Sequence, residues 1–364
     1  MASGPIIVQD FEQYLKTKSS EPWWQYFRSG ADSEQTLADN ALAFQRYRLR
    51  PRYLRDVSQR DLSISLLGHR LQLPIGVCPS SSHGMVHPEA EIATAKGVAS
   101  VGSAMGLSMW SNKPLEDIAA AVAPETPLFQ QLNVFCDRTS MDRLTSHAEW
   151  LVKRTERAGF KGIVLTVDQP VTGNGVERRR TGPAVEPLDL TFPQFVVPGG
   201  SYLDSEDRMT LDPSLTWDDL EWLRDLTSLP IVLKGILTAE DASEAVKRGV
   251  SAIWVSNHGG RQLDGAPATI DALPEVVNAV RGSNVEVYLD GGVRKGTDVL
   301  KALALGARAV FIGRPALWGL AYDGEAGVRK VLEILREELS RAMALTGCSS
   351  IADITPDLIK MPSQ

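Results

Sequence analysis

Short apolar runs that close on small or polar residues recur along most of the chain. They are LPIGVCPS (73–80), GSAMGLS (102–108), PLFQQLN (127–133), GIVLTVD (162–168), PIVLKG (230–235), AIWVSN (252–257), VEVYLDGG (285–292) and AVFIGRP (309–315). Most are rich in β-branched residues and are bounded by turn signals, the pattern of strands buried on both faces. Between them lie stretches of helical period, among them PEAEIATAKGVASVG, TAEDASEAVKRG and GTDVLKALALG. The first opens on Pro88, suited to a helix N-terminus, and all three close on glycine. Eight strands alternating with helices predict an α/β fold, a (β/α)8 TIM barrel formed by residues 61–346 of a single domain spanning 1–364. A doubly wound open sheet is the alternative; the count of eight and the closing IGRP favour the barrel.

Two segments break the alternation. Residues 1–60 carry helical patterns, DFEQYLK and WWQYFRSGADSEQTLADNALAFQRY, and predict an N-terminal helical extension. From 169 to 216 the chain is rich in Pro, Gly, Arg and Asp and has little periodicity. A connection that long after the fourth strand predicts an active-site loop over the barrel mouth.

Composition narrows the class. Of 364 residues, 43% are hydrophobic and 23% charged, ordinary values for a globular chain, and the net charge of -7 argues against a nucleic-acid partner. Cys78, Cys136 and Cys348 are far apart with no CxxC pair, which fits a reducing compartment. The opening MASGPIIVQDFEQYLK lacks a signal-peptide h-region, KMPSQ is not a peroxisomal signal, and no apolar run approaches the ~20 residues of a membrane span. A cytoplasmic protein with no membrane association is the expectation.

In a barrel, reacting groups come from the C-terminal ends of strands. That rule gathers Pro79, Ser80, Ser81, Ser108, Gln131, Asn133, Thr166, Asp168, Lys234, His258, Arg261, Asp290, Gly291, Gly292, Arg294, Gly313 and Arg314 at one mouth. The glycines and arginines of DGGVRKG and IGRP offer backbone N–H groups and cations where barrels bind phosphate. Lys234, within IVLKGI, must face the mouth; it could form a Schiff base or stay protonated and stabilise an anion. His258 is the proton carrier, Arg261 a carboxylate fork, and Asp168 a group able to hold an imidazolium. Together they suggest removal of a proton from, or beside, a carboxylate-bearing carbon. Ser80, Ser81 and Ser82 have no nucleophile-elbow context. His69, His83, His87 and His147 show no metal-ligand spacing, so no metal is assigned.

The segments SNHGGRQLDGAPATIDALPEV and YLDGGVRKGTDVLKALALGARAVFIGRP, within a likeness running from YFRSGADSEQTLADN to EELSRAMALTGCSSIADI, resemble the FMN-dependent 2-hydroxy acid oxidase and dehydrogenase family, that of glycolate and lactate oxidases and mandelate dehydrogenase. The resemblance implies one FMN at the barrel mouth. Gly291, Gly292, Arg294, Gly313 and Arg314 would hold its phosphate end, with Asp290 and Ser256 also beside the cofactor. Pro79, Ser80 and Ser81 would lie against the isoalloxazine, and Ser108, Gln131 and Thr166 would bond its polar edge. Lys234 would stabilise the anionic reduced flavin. His258, supported by Asp168, would take the substrate's proton while a hydride-equivalent reaches flavin N5. Arg261 and Tyr26 would bind the substrate carboxylate. Dioxygen is the expected electron acceptor and a tetramer the expected assembly.

Two positions depart from the family. Where members carry a tyrosine whose hydroxyl touches the substrate, QQLNVF places Asn133. Where they carry a second carboxylate-binding arginine, seven residues after the strand-4 aspartate, DQPVTGNGVERRR places Gly175, followed by Arg178, Arg179 and Arg180. A charged hydrogen bond is worth about 1.5–3 kcal/mol, so loss of that arginine predicts weaker binding of small acids by about one to two orders of magnitude. The altered wall predicts a bulky or aryl substrate, or a different α-substituted one such as an amine or a non-carboxylate alcohol.

Overall fold

The computed structural model describes residues 4–135, 147–182, 190–196 and 210–361. Eight parallel strands close into a barrel: β1 (Ile75–Val77), β2 (Met105–Leu107), β3 (Leu128–Leu132), β4 (Gly162–Thr166), β5 (Ile231–Ile236), β6 (Ala252–Val255), β7 (Glu286–Leu289) and β8 (Ala309–Ile312). Each pairs with its successor in the chain, and β8 returns to β1 through Val310 opposite Ile75. The open-sheet alternative is thereby excluded. In all but β5 the strand stops short of its apolar run, because the last residues leave the ladder and bend into the mouth. β5 instead runs through a bulge between Lys234 and Ile236.

Phe129, Val164, Val232, Trp254, Tyr288 and Phe311 fill the barrel interior, with the Trp254 and Phe311 rings 4.0 Å apart. Leu66 and Leu71, from a hairpin pairing Ile64–Leu66 with His69–Leu71, join this cluster and floor the barrel. Each such side chain contributes about 1.5–3 kcal/mol by leaving water. The opposite face of the strands packs against the surrounding helices in a second, larger cluster.

The N-terminal extension is helical, as its pattern predicts: α1 (Val8–Lys18), α2 (Glu21–Arg28) and α3 (Gln35–Leu42). It is docked on the mouth. Ala31 N–H donates to the Gly260 carbonyl at 2.8 Å, and Asn40 and Asn257 exchange two amide hydrogen bonds of 2.8 Å. Gly292, at φ +78°, has to be glycine for the same reason, since a Cβ there would lie 1.9 Å from the Asn40 carbonyl oxygen. After β1 comes α4 (Ala90–Ser100), which starts two residues beyond Pro88 rather than on it. Next are α5 (Leu115–Ala120), α6 (His147–Arg157), α7 (Val176–Arg180), α8 (Asp219–Leu226), α9 (Ala239–Lys247), α10 (Thr269–Ala279), α11 (Gly296–Ala304) and α12 (Arg314–Thr346), the last interrupted at Asp323 and Gly324. The segment 169–216, read as irregular, contains α7 and a 3-10 turn at Pro193–Phe195; its residues 183–189 and 197–209 lie outside the described residues. Cys78 and Cys348 are free and buried, whereas Cys136 lies outside the described residues. Among the described residues no helix is long and apolar enough to cross a membrane.

Candidate active site

A cavity of about 380 Å³ opens at the C-terminal ends of the strands. Its wall includes Pro79, Ser80 and Ser81 after β1, Ser108 after β2, Gln131 and Asn133 at β3, Thr166 of β4 and Lys234 of β5. His258 and Arg261 follow β6; Asp290, Gly291, Gly292 and Arg294 follow β7; Gly313 and Arg314 follow β8. Tyr26 of α2 reaches in from the extension, its hydroxyl 3.1 Å from Ser81 Oγ. Asp168 and Ser256 stand behind this wall, not in it. Ser256, expected beside the cofactor, is fully buried: its hydroxyl accepts from Lys234 Nζ and donates to Asp290 Oδ1, both at 2.8 Å.

Lys234 is therefore held in a polar knot. Its Nζ lies 3.3 Å from Asp290 Oδ2, with both side chains 6% exposed. Burial works to strip its proton, but the charges of Asp290 and Asp168 outweigh burial and hold its pKa above the ordinary lysine value. A Schiff-base nucleophile needs the neutral amine. This lysine is a fixed ammonium.

His258 Nδ1 lies 3.0 Å from Asp168 Oδ1. Burial pushes Asp168 up, yet the charge and hydrogen bond of His258, together with Lys234, hold it below the usual carboxylate range. An ionised carboxylate can only accept, so Nδ1 donates to Asp168, and whenever the ring is neutral the lone pair is on Nε2. The β5 bulge makes this fit possible: at Gly235, φ +117°, a Cβ would approach Asp168 Cβ to 2.6 Å. His258 itself is held at φ +58°, a conformation uncommon outside glycine, with its N–H on Ser256 Oγ at 3.1 Å.

Two cationic ends flank this centre. At β7 and β8, Arg294 and Arg314 donate only to backbone carbonyls among the described residues: Val293 for the first, whose guanidinium also lies 4.8 Å from the Trp318 ring centroid, and Phe27, Ser29 and Gly259 for the second. Burial, with the neighbouring guanidiniums of Arg261 and Arg294, pushes Arg314 down to about 9. Buried cations with no carboxylate in ion-pair contact among the described residues call for an anion. A phosphate beside the glycine turns satisfies that demand, so this end fits FMN. Ser108, Gln131 and Thr166 add hydroxyl and amide groups for a polar ring edge.

The second end holds Arg261, whose Nη1 donates to the Tyr26 carbonyl at 2.8 Å and whose guanidinium lies 5.6 Å from that ring's centroid. Burial lowers its pKa, and the charge of Arg178 lowers it further. Arg178 lines the same cavity from α7. Its guanidinium occupies the space a side chain at position 175 would take, with Nη2 3.0 Å from the Cβ that Gly175 lacks. The cavity therefore has a second guanidinium on this side, supplied from three residues further along than the family pattern places it.

The remaining wall is amide and aromatic. Gln131 Nε2 donates to Asn133 Oδ1 at 2.7 Å and to Thr166 Oγ1 at 3.0 Å. Trp110 and Phe192 also line the cavity, their rings edge to face at 5.7 Å. Neither was singled out from sequence. Trp110 lies two residues past Ser108 and was within reach of the strand-end rule; Phe192 sits in the aperiodic segment and carries no signal. Among the described residues no cluster of three or more His, Cys, Asp or Glu side chains is placed to hold a metal.

The sequence profile of the FMN-dependent dehydrogenase family matches residues 15–361. The chain is 47% identical to 2-hydroxyacid oxidase 1 of Mus musculus, over 98% of this chain and 96% of that protein. It is also 47% identical to an L-lactate oxidase of Nostoc sp., over 99% of each. A solved mandelate oxidase with bound (S)-2-phenylpropionate is 37% identical and superposes with a TM-score of 0.87 over 98% of both chains. A soluble mutant of the membrane-associated (S)-mandelate dehydrogenase from Pseudomonas putida, 33% identical, gives 0.88 over 98% of this chain and 99% of that one. A phosphate-binding end that fits FMN, a barrel of the same shape and a match over nearly the whole length agree: the chain belongs to the FMN-dependent dehydrogenase family and is an FMN-dependent oxidoreductase.

Proposed function

We propose that this enzyme oxidises 2-hydroxy acids with large apolar or aryl α-substituents to 2-oxo acids and passes the electrons to dioxygen. One observation carries the reading: an imidazole oriented by a buried carboxylate shares a cavity with two guanidiniums, Arg261 and Arg178, that lack acidic partners among the described residues. Relatives named 2-hydroxyacid oxidase, L-lactate oxidase and mandelate oxidase support the same chemistry.

In this reading Arg261 and Arg178 grip the substrate carboxylate and Tyr26 Oη adds a hydrogen bond. His258 Nε2 takes the hydroxyl proton as the carbinol becomes a carbonyl. Asp168, whose Oδ2 is buried without a hydrogen-bond partner among the described residues, stabilises the imidazolium that forms. When bound, FMN supplies the acceptor for the electron pair and the α-hydrogen, and dioxygen takes the electrons onward as peroxide. Lys234 is a fixed cation facing negative charge gained in the cavity. Asn133, shorter than a tyrosine, leaves room for the α-substituent beside Trp110 and Phe192. The paired guanidiniums disfavour an amine or a non-carboxylate alcohol.

An anaerobic screen following loss of flavin absorbance tests this. Bulky 2-hydroxy acids should bleach the flavin, faster than glycolate, and admitting air should release peroxide. Bleaching by amines but by no 2-hydroxy acid contradicts the proposal.

A further inference from the structure

Behind Asn133 lies a second cavity of about 260 Å³, which shares Asn133, Thr166 and Gln169 with the catalytic one. The rest of its lining is mainly apolar, including Leu165 of β4, Leu233 and Ile236 of β5, and Leu215, Trp217 and Leu220, with Asp212, Thr216 and Asp241 as its polar members. The strand residues belong to the outer apolar cluster, so the annex sits between the barrel wall and α8. Its roof is fixed by backbone: Phe135 bridges Leu211, and Asp212 N–H donates to the Val134 carbonyl at 3.0 Å.

The partition between the two cavities is thin. Asn133 Oδ1 is occupied by Gln131, but Asn133 Nδ2 reaches Gln169 Oε1 only at 3.5 Å, well beyond the usual ~2.9–3.0 Å of an N–H···O bond. One weak amide contact thus separates the polar reaction chamber from this mainly apolar annex.

We propose that the annex is a subsite for the distal part of the substrate, an unbranched apolar tail that passes between Asn133 and Gln169 while the carboxylate rests on Arg261 and Arg178. The inference builds on the 2-hydroxy acid reading and adds the shape of the tail. The lining is chemically suited to methylenes, and an annex of this size takes a chain of several carbons. Each methylene moved from water into it tightens binding about fourfold.

The test is a ladder of straight-chain 2-hydroxy acids of increasing length, with binding read from anaerobic flavin reduction in the FMN-loaded protein. Wild type should gain about fourfold per added methylene once the chain passes Asn133, until the annex is full. Leu215→Trp, which fills the annex from its half-buried rim, should flatten that series and bring the long-to-short ratio toward one. Trp217→Ala, which enlarges it, should carry the gain to longer chains and serves if the filled variant does not fold. Short acids that reduce the flavin with no gain on lengthening, or a gain that Leu215→Trp leaves intact, overturn the annex and leave the 2-hydroxy acid reading standing. No reduction by an acid of any length overturns both.

Discussion

Arg314 and Arg178 present guanidiniums to one cavity, but they are held in opposite ways. Arg314 begins α12 directly after β8 and is fixed by the carbonyls of Phe27, Ser29 and Gly259. Arg178 lies on the five-residue α7, ten positions past Asp168, and its guanidinium has no hydrogen-bond partner among the described residues. The cofactor end is thus welded into the barrel and the N-terminal extension, and its residues are fixed by position. The substrate end hangs on a connection, where a cation can be supplied from another position without disturbing His258, Asp168 or Lys234. In the proposed reading chemistry and substrate choice are separable, because one is carried by the barrel strands and the other by the connection that holds α7.

That contrast makes predictions at both ends. The largest effect belongs to the shared centre. His258→Ala should retain FMN and lose about 10²–10⁴-fold in the rate of flavin reduction, measured anaerobically by stopped flow; a loss under tenfold means another group takes the proton. At the rigid end, Arg314→Leu should weaken FMN binding by about 10–150-fold, the equivalent of a charged hydrogen bond worth about 1.5–3 kcal/mol, as read by flavin fluorescence on titration. The ranking of substrates by the fully loaded variant should not change. At the α7 end the pattern should invert: Arg178→Ala should raise KM for 2-hydroxy acids about tenfold with FMN affinity unaltered. Gly175→Ala, whose new methyl would meet the Arg178 guanidinium at 3.0 Å, should raise KM in the same direction by less. If Arg178→Ala instead sheds FMN, the two ends are not separate.

How much of this was readable in the sequence follows the same division. Strand runs such as GIVLTVD and AIWVSN announce both the barrel and the groups delivered to its mouth, because a strand buried on both faces has one place to put a polar residue, its end. The strand-end rule gives position along the strand but not direction, so it does not announce that the Ser256 hydroxyl turns inward to Lys234 and Asp290. Arg178 and Phe192 were beyond the rule, since no periodicity orients side chains in 169–216. Counting seven residues from Asp168 found a glycine, and only the fold shows that the guanidinium three residues on fills its space.

The smallest effect tests the rigid side from beneath. Glu91 on α4 is fully buried and accepts from the backbone N–H groups of His83 at 3.2 Å and Asn112 at 3.0 Å, tying the segments that follow β1 and β2. Burial pushes its pKa up to about 7 despite those bonds. A carboxyl raised on folding binds its proton more tightly in the native state, so its contribution is present below the unfolded value near ~4.3 and is lost as pH rises through about 7. Glu91→Gln cannot ionise, so its melting temperature relative to wild type should climb from pH 5 to pH 8. A difference that stays flat across that range contradicts the assignment.

The central claim is that two guanidiniums select a carboxylate for the His258 base. It is tested most directly by comparing a bulky 2-hydroxy acid with its own amide, as anaerobic reductants of the wild-type flavin and of Arg178→Ala. The account predicts that wild type reduces far faster with the acid at low concentration, and that Arg178→Ala narrows the gap by about tenfold. Equal reduction of the wild-type flavin by acid and amide would contradict it.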